Sequence, residues 1–225
     1  MYYKVLKFFQ KQIEDYAKQI FKVYGNELTL KLEDYNLLED ENNSIESSTS
    51  IGFIIEEFLT SKLSIYTRNH KDDDVVILKK RDKATRLSYD SYAISQNIFF
   101  MLNIKVQKMN SNNNGIAAIN LLYNDYVLIN PDQAKAYLIL KINYRLGVSK
   151  NDYQRKIIIQ NIYSFFLEEL DFGQGHQQDH RNWSSTFNPN SGRLLVPKNF
   201  PRLEKYFIDY KVTKNFLINI IKNNK

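Results

Sequence analysis

The stretch Arg86–Lys108, RLSYDSYAISQNIFFMLNIKVQK, constrains this chain more than any other. Two runs rich in apolar and β-branched residues, divided by a polar break, read as adjacent strands joined by a turn. The first carries an acid, Asp90. The second is apolar from Ile98 to Leu102 and then turns polar at Asn103, Lys105, Gln107 and Lys108. Strand side chains alternate, so Asn103 and Lys105 share a face while Ile104 enters the core. A buried strand that ends on an amide and an ammonium, beside one presenting a carboxylate, is a candidate metal and phosphate site.

The remaining elements surround that hairpin. Val5, Phe8, Phe9, Ile13, Ala17, Ile20 and Phe21 recur at helical spacing and predict a helix from Tyr3 to Tyr24, stopped by Gly25. Glu27–Leu38 is ambiguous in pattern and could hold a short strand, Leu28–Leu32, before a polar loop from Glu39 to Ser50. Ser50 to Tyr66 predicts a second helix, with an apolar stripe of Ile51, Ile54, Ile55, Phe58, Leu59 and Ile65. Glu56 and Glu57 sit on opposite flanks of that stripe. Val75–Leu78 is a candidate strand. Ile116–Asp125 reads as a short helix between strands 97–108 and 134–146, the length of a βαβ crossover. Ala134–Leu146 and Arg155–Phe166 are nearly continuous apolar runs, as in strands covered on both faces. Leu167–Pro201 holds much of the chain's Gly, Pro and His and its one Trp. Irregular segments of that length are functional or disordered. Arg202–Lys225 reads as a closing helix.

Composition narrows the classes. At 225 residues the chain is long enough to bury a core without staples, and one domain over 1–225 is expected. With no cysteine, disulfides and thiolate zinc sites are excluded. No apolar leader or spanning run is present, so a soluble, cytoplasmic protein with no membrane partner is expected. The net charge of +6 suits a polyanion. An Asn-, Lys-, Ile- and Tyr-rich composition also adds lysine without function, so charge alone decides nothing.

Hydrolysis of a phosphodiester needs a divalent cation, hard oxygens to hold it, and a positive group near the phosphate. Asp90 offers a carboxylate, Asn103 a neutral carbonyl, Ile104 its backbone carbonyl, Lys105 an ammonium, and Glu56 a second acid from a neighbouring helix. Gly52 and Glu56 in IGFIIEEFL, Asp90 in SYDSY, and Asn103-Ile104-Lys105 in FFMLNIKVQ together resemble the PD-(D/E)xK nuclease core. More narrowly they resemble a type II restriction endonuclease. NWSSTFNPNSGRLLVPK, Asn182–Lys198, resembles the segment after the core in several such enzymes. Two departures stand out: Tyr89, not Pro, precedes Asp90, and Asn103 replaces the second acid.

The resemblance implies an α/β fold, a restriction-endonuclease-like mixed central sheet flanked by helices. It implies Mg²⁺, with Asp90 as metal acid, Lys105 as catalytic lysine and Glu56 as helix acid. It implies double-stranded DNA as substrate and a homodimer, for which the first and last helices are the candidate contacts. The loop at about 171–201 is then the recognition loop. Gln177, Gln178, Arg181 and Asn182 can pair with base edges, and Arg193 and Lys198 with phosphates. His176, Asp179 and His180 have the types of a metal site, but recognition or structural roles are the expectation. Two other readings remain: a non-catalytic DNA-binding protein with a degenerate nuclease core, and a partner-binding domain whose charge is compositional.

Overall fold

The computed structural model describes residues 2–29, 48–70, 75–79, 87–110, 115–148, 155–171, 178–179, 192–195, 202, 204–205 and 208–223. Helix α1 spans Tyr2–Tyr24, and Val5, Leu6, Phe9, Ile13, Tyr16, Ala17, Ile20 and Phe21 form its buried stripe. Gly25 ends it at φ 92°, a conformation free of strain only without a Cβ. Strand β1 is Glu27–Thr29 and helix α2 is Ser48–Asn69. Strand β2 is Leu78–Lys79, β3 is Ser91–Ser95 and β4 is Ile98–Lys108. Between β3 and β4, Gln96 and Asn97 take φ of 48° and 63°. A two-residue turn with both residues left-handed matches the twist of the strands it joins, and it makes Ser95 the partner of Ile98.

Strands β6 (Ala134–Val148) and β7 (Arg155–Phe166) follow the apolar runs closely. The six-stranded sheet has the order β1-β7-β6-β4-β3-β2. β4 and β6 are parallel, with Ile98 beside Ala134 and Lys108 beside Tyr144, and the other pairs are antiparallel. The fold is therefore a mixed central sheet flanked by helices, as the sequence predicts.

Alternation divides the core between the two faces. Phe100, Leu102 and Ile104 of β4 meet α1 and α2, with Phe9 stacked on Phe100 at 3.9 Å between ring centroids. Met101 of β4, with Tyr137 and Ile139 of β6, packs in a second cluster on the other face. Polar anchors then orient α1. Glu14 Oε1 accepts from the Ser164 N–H at 2.8 Å and the Ser164 hydroxyl at 2.7 Å, and Lys7 pairs with Glu169. The apolar stripe of α1 is thus spent on the sheet. Leu217, Ile220 and Ile221 of the last helix, α4 (Tyr210–Asn223), are buried in the second cluster.

Two expected elements are corrected. The helix expected over 116–125 begins as strand β5, Gly115–Ala118, and only then coils into helix α3, Ile119–Tyr123, and a π-helical turn, Asn124–Leu128. The reason is a distant partner. β5 pairs with β9 (Arg193–Leu195), which pairs with β8 (Gln178–Asp179), in a separate three-stranded sheet. The closing helix starts at Tyr210, not Arg202. Arg202 forms a bridge with Leu170, and Asp209 caps the helix, its Oδ1 accepting the Lys211 N–H at 3.0 Å. A cap of this kind contributes about 1 kcal/mol. Among the described residues no helix is long and apolar enough to cross a membrane.

Candidate active site

The site is built where β3 meets the polar end of β4. The ladder pairs Ser91 with Leu102, and Asp90 lies one residue beyond it. The Asp90 N–H donates to the Leu102 carbonyl at 2.9 Å. Its side chain then turns onto β4, where Oδ2 accepts the Ile104 N–H at 2.7 Å. The acid therefore closes the hairpin with its carboxylate against the Asn103-Ile104-Lys105 backbone. Asn103 is buried and Lys105 half-buried, and Ile104 is fully buried in the core of the opposite face. The alternation read from the sequence thus holds.

Asn103 is held tightly. Its Nδ2 donates to the Ser88 carbonyl at 2.6 Å and to the Tyr137 hydroxyl oxygen at 2.9 Å. The Tyr137 hydroxyl in turn donates to the same Ser88 carbonyl. Ser88 N–H donates to Asp125 Oδ2 at 2.6 Å. Side chains from β4, β6 and the π turn therefore clamp both backbone groups of Ser88, two residues before Asp90. Burial, then the Asp90 carboxylate, pushes the Tyr137 hydroxyl well above its ordinary pKa, which keeps it a neutral donor.

The π turn is secured from below. Lys135, buried at the start of β6, donates to the carbonyls of Asp125 and Tyr126 at 3.0 Å each, and to that of Ile129. Burial, then the charge of Lys214, lowers its pKa to about 8, against the pull of Asp125. None of Ser88, Tyr137, Asp125 or Lys135 stands out in the sequence. Their shared signal is a polar residue inside or beside an apolar run, which has many other causes.

Of the remaining site candidates, Glu56 is half-buried on α2. Gly52, one turn earlier, faces Val106 of β4, with 3.9 Å to Val106 Cβ from where a Cβ would stand. Arg193 is exposed on β9. Gln178 and Asp179 are described as backbone only, paired with Leu194 and Arg193. Gln177, Arg181, Asn182 and Lys198, with His176 and His180, lie outside the described residues.

The donor set can be tested against Mg²⁺. Asn103 Oδ1 is buried with no hydrogen-bond partner among the described residues. Asp90 adds one carboxylate and Ile104 a backbone carbonyl. No group of three His, Cys, Asp or Glu side chains clusters among the described residues. One carboxylate with neutral oxygens suits Mg²⁺, which keeps several waters and draws further ligands from substrate phosphates.

The geometry of Asn103 makes a prediction against its pattern. In Asn103→Asp a carboxylate oxygen replaces the NH₂ that serves two oxygens. Tyr137 can turn its proton to the new acid only by leaving the Ser88 carbonyl without either donor. The expected loss is about 1–3 kcal/mol or more at neutral pH, read as a lower thermal midpoint in EDTA. A midpoint at or above that of the parent protein contradicts this bonding.

No family model matches the chain, and no curated protein is similar to it in sequence. One solved structure that it resembles is the NlaIV restriction endonuclease. The identity is 15%, over 95% of this chain and 89% of that one, with a TM-score of 0.46. What the site can do is read from its own residues.

Proposed function

We propose that this protein is a Mg²⁺-dependent type II restriction endonuclease, cutting double-stranded DNA at a short specific sequence as a homodimer. The observation that carries the reading is the closed hairpin end. Asp90 accepts the Ile104 N–H, and this sets the acid beside Asn103 and Lys105, which share one face of the sheet. The resemblance of the segment Asn182–Lys198 supports site specificity, with the recognition loop supplying the base contacts.

Asp90 holds the cation with its carboxylate. Asn103 Oδ1 and the Ile104 carbonyl add neutral oxygens, and Glu56 adds a helix acid. Mg²⁺, when bound, supplies a Lewis acid that activates water and offsets charge at phosphorus. Lys105 orients the attacking water and offsets negative charge as it grows on the phosphate. The Ser88 clamp keeps the Asp90 segment in place, so the acid is positioned before substrate arrives.

The test is digestion of a long, fully sequenced DNA in Mg²⁺ and in EDTA. Discrete bands in Mg²⁺ alone are the expected result. A Mg²⁺-dependent smear retains the nuclease and removes the specificity. Intact DNA in both lanes, over several unmethylated substrates, favours a second reading, a DNA-binding protein with a degenerate core. One observation favours that alternative: Asn103 is held as an amide where the pattern has an acid.

A further inference from the structure

Beyond Asn103 the same face of the sheet stays polar. Register pairs Lys105 of β4 with Lys141 of β6, and Lys141 with Tyr163 of β7. The next row is Gln107, Asn143 and Asn161. Registered neighbours point to the same face, and adjacent strands are about 4.8 Å apart. Lys105 and Lys141 therefore stand side by side on the face that carries Asn103, one row beyond it. Both are half-buried, and Tyr163 is 40% exposed with its hydroxyl hydrogen-bonded to the Asn143 side chain.

A half-buried ammonium is costly unless a partner offsets its lost hydration. Burial alone lowers the Lys141 pKa. Among the described residues neither lysine has an ion pair. A pair of cations so placed, in a chain of net charge +6, is complementary to a polyanion. Neither cation serves the fold by neutralising a described carboxylate.

We infer that Lys141 is a second phosphate-binding cation of the site, and that Lys105 and Lys141 together hold neighbouring phosphates of one DNA strand beside Asp90. This rests on the nuclease reading. Lys105 takes the phosphate under attack, and Lys141 takes the next along the backbone. The row of Gln107, Asn143 and Asn161 borders the same track with neutral groups.

The experiment is binding of a fluorescein-labelled duplex of mixed sequence in EDTA, by anisotropy across a salt series. The proteins are the parent, Lys141→Gln, Lys141→Met, Lys141→Arg and Lys22→Gln. Lys22 is exposed on α1, across the sheet, and controls for net charge. Lys141→Met keeps the alkyl stem, should the shorter variant fail to fold. Loss of one phosphate contact shallows the slope of log K against log salt by about one and weakens binding roughly tenfold at about 0.1 M salt. Both neutral variants should show this, Lys141→Arg should restore it, and Lys22→Gln should match the parent. Equal effects of Lys141→Gln and Lys22→Gln, or a parental slope in both neutral variants, overturn the role of Lys141 and leave the nuclease reading standing. A parent protein without salt-dependent affinity for the duplex removes that reading as well.

Discussion

Lys105→Ala is expected to lose cleavage by roughly 10²–10³-fold or more while binding DNA within about tenfold of the parent. Lys105 lies on the face of Asn103, and its ammonium has no ion pair among the described residues. Its removal therefore frees no described carboxylate and leaves the hairpin bonds of Asp90 intact. Lys105→Arg should not restore the rate, because a planar, longer guanidinium presents its charge at a different distance and geometry. Asp90→Asn is the companion variant. It keeps an oxygen to accept the Ile104 N–H but removes the charge proposed to hold a cation, so cleavage should fall while the fold persists. Gel assays in Mg²⁺, paired with anisotropy in EDTA, separate the two effects. Full cleavage by Lys105→Ala removes this lysine from the mechanism.

The largest effect on stability is expected at Glu168. This carboxyl is fully buried, and its Oε1 accepts the Tyr126 hydroxyl at 2.6 Å and the Tyr137 N–H at 3.0 Å. Burial raises its pKa to about 8, and the Glu169 charge adds to the rise. Hydrogen bonds from Tyr126 and the backbone oppose it without winning. The sign follows from the two states. The unfolded chain releases this proton near pH 4.5, whereas the folded chain holds it to about pH 8. Stability from this group is complete below the lower value, declines as pH rises through that window, and levels off above it. The decline is on the order of a few kcal/mol, since each pH unit is worth at most about 1.4 kcal/mol. Glu168→Gln keeps an acceptor for Tyr126 and Tyr137 and cannot ionise. Its unfolding midpoint should change less with pH across that window and exceed the parent's near pH 8. Parallel pH profiles for the two proteins would show that Glu168 ionises normally.

Glu168 also bears on the site. Tyr126 sits in the π turn that supplies Asp125 to Ser88, and Tyr137 both binds Glu168 through its N–H and reaches Asn103 through its hydroxyl. Ionising Glu168 thus acts on the strand whose Tyr137 clamps Ser88, two residues before Asp90. Loss of activity above about pH 8 is accordingly expected to soften in Glu168→Gln.

The local elements around the site were legible in the sequence because their causes are local. Within β4, β6 and β7 the apolar stretches run through both alternating faces, as in strands covered on both sides, and the polar positions that interrupt them mark where that cover ends. The stripe of α1 repeats at helical spacing, and Gln96-Asn97 supplies a tight turn. From these the hairpin, the parallel crossover and the shared face of Asn103 and Lys105 all follow.

Long-range pairing decided the rest. Gly115–Ala118 is apolar enough for either structure, and Arg193–Leu195 makes it a strand. A capping bond at Asp209 and a bridge to Leu170 shorten the last helix, although the apolar spacing continues through Leu203 and Tyr206. The clamp on Ser88 draws on Asn103, Asp125 and Tyr137, which are far apart in the chain and converge only once the crossover lays β6 beside β4. The same parallel register puts Lys141 next to Lys105. Sequence determined which residues could be acid, amide and ammonium at this site. Tertiary structure decided which of their atoms are already spent on the fold, because a hydrogen bond across a sheet depends on partners that no local pattern records.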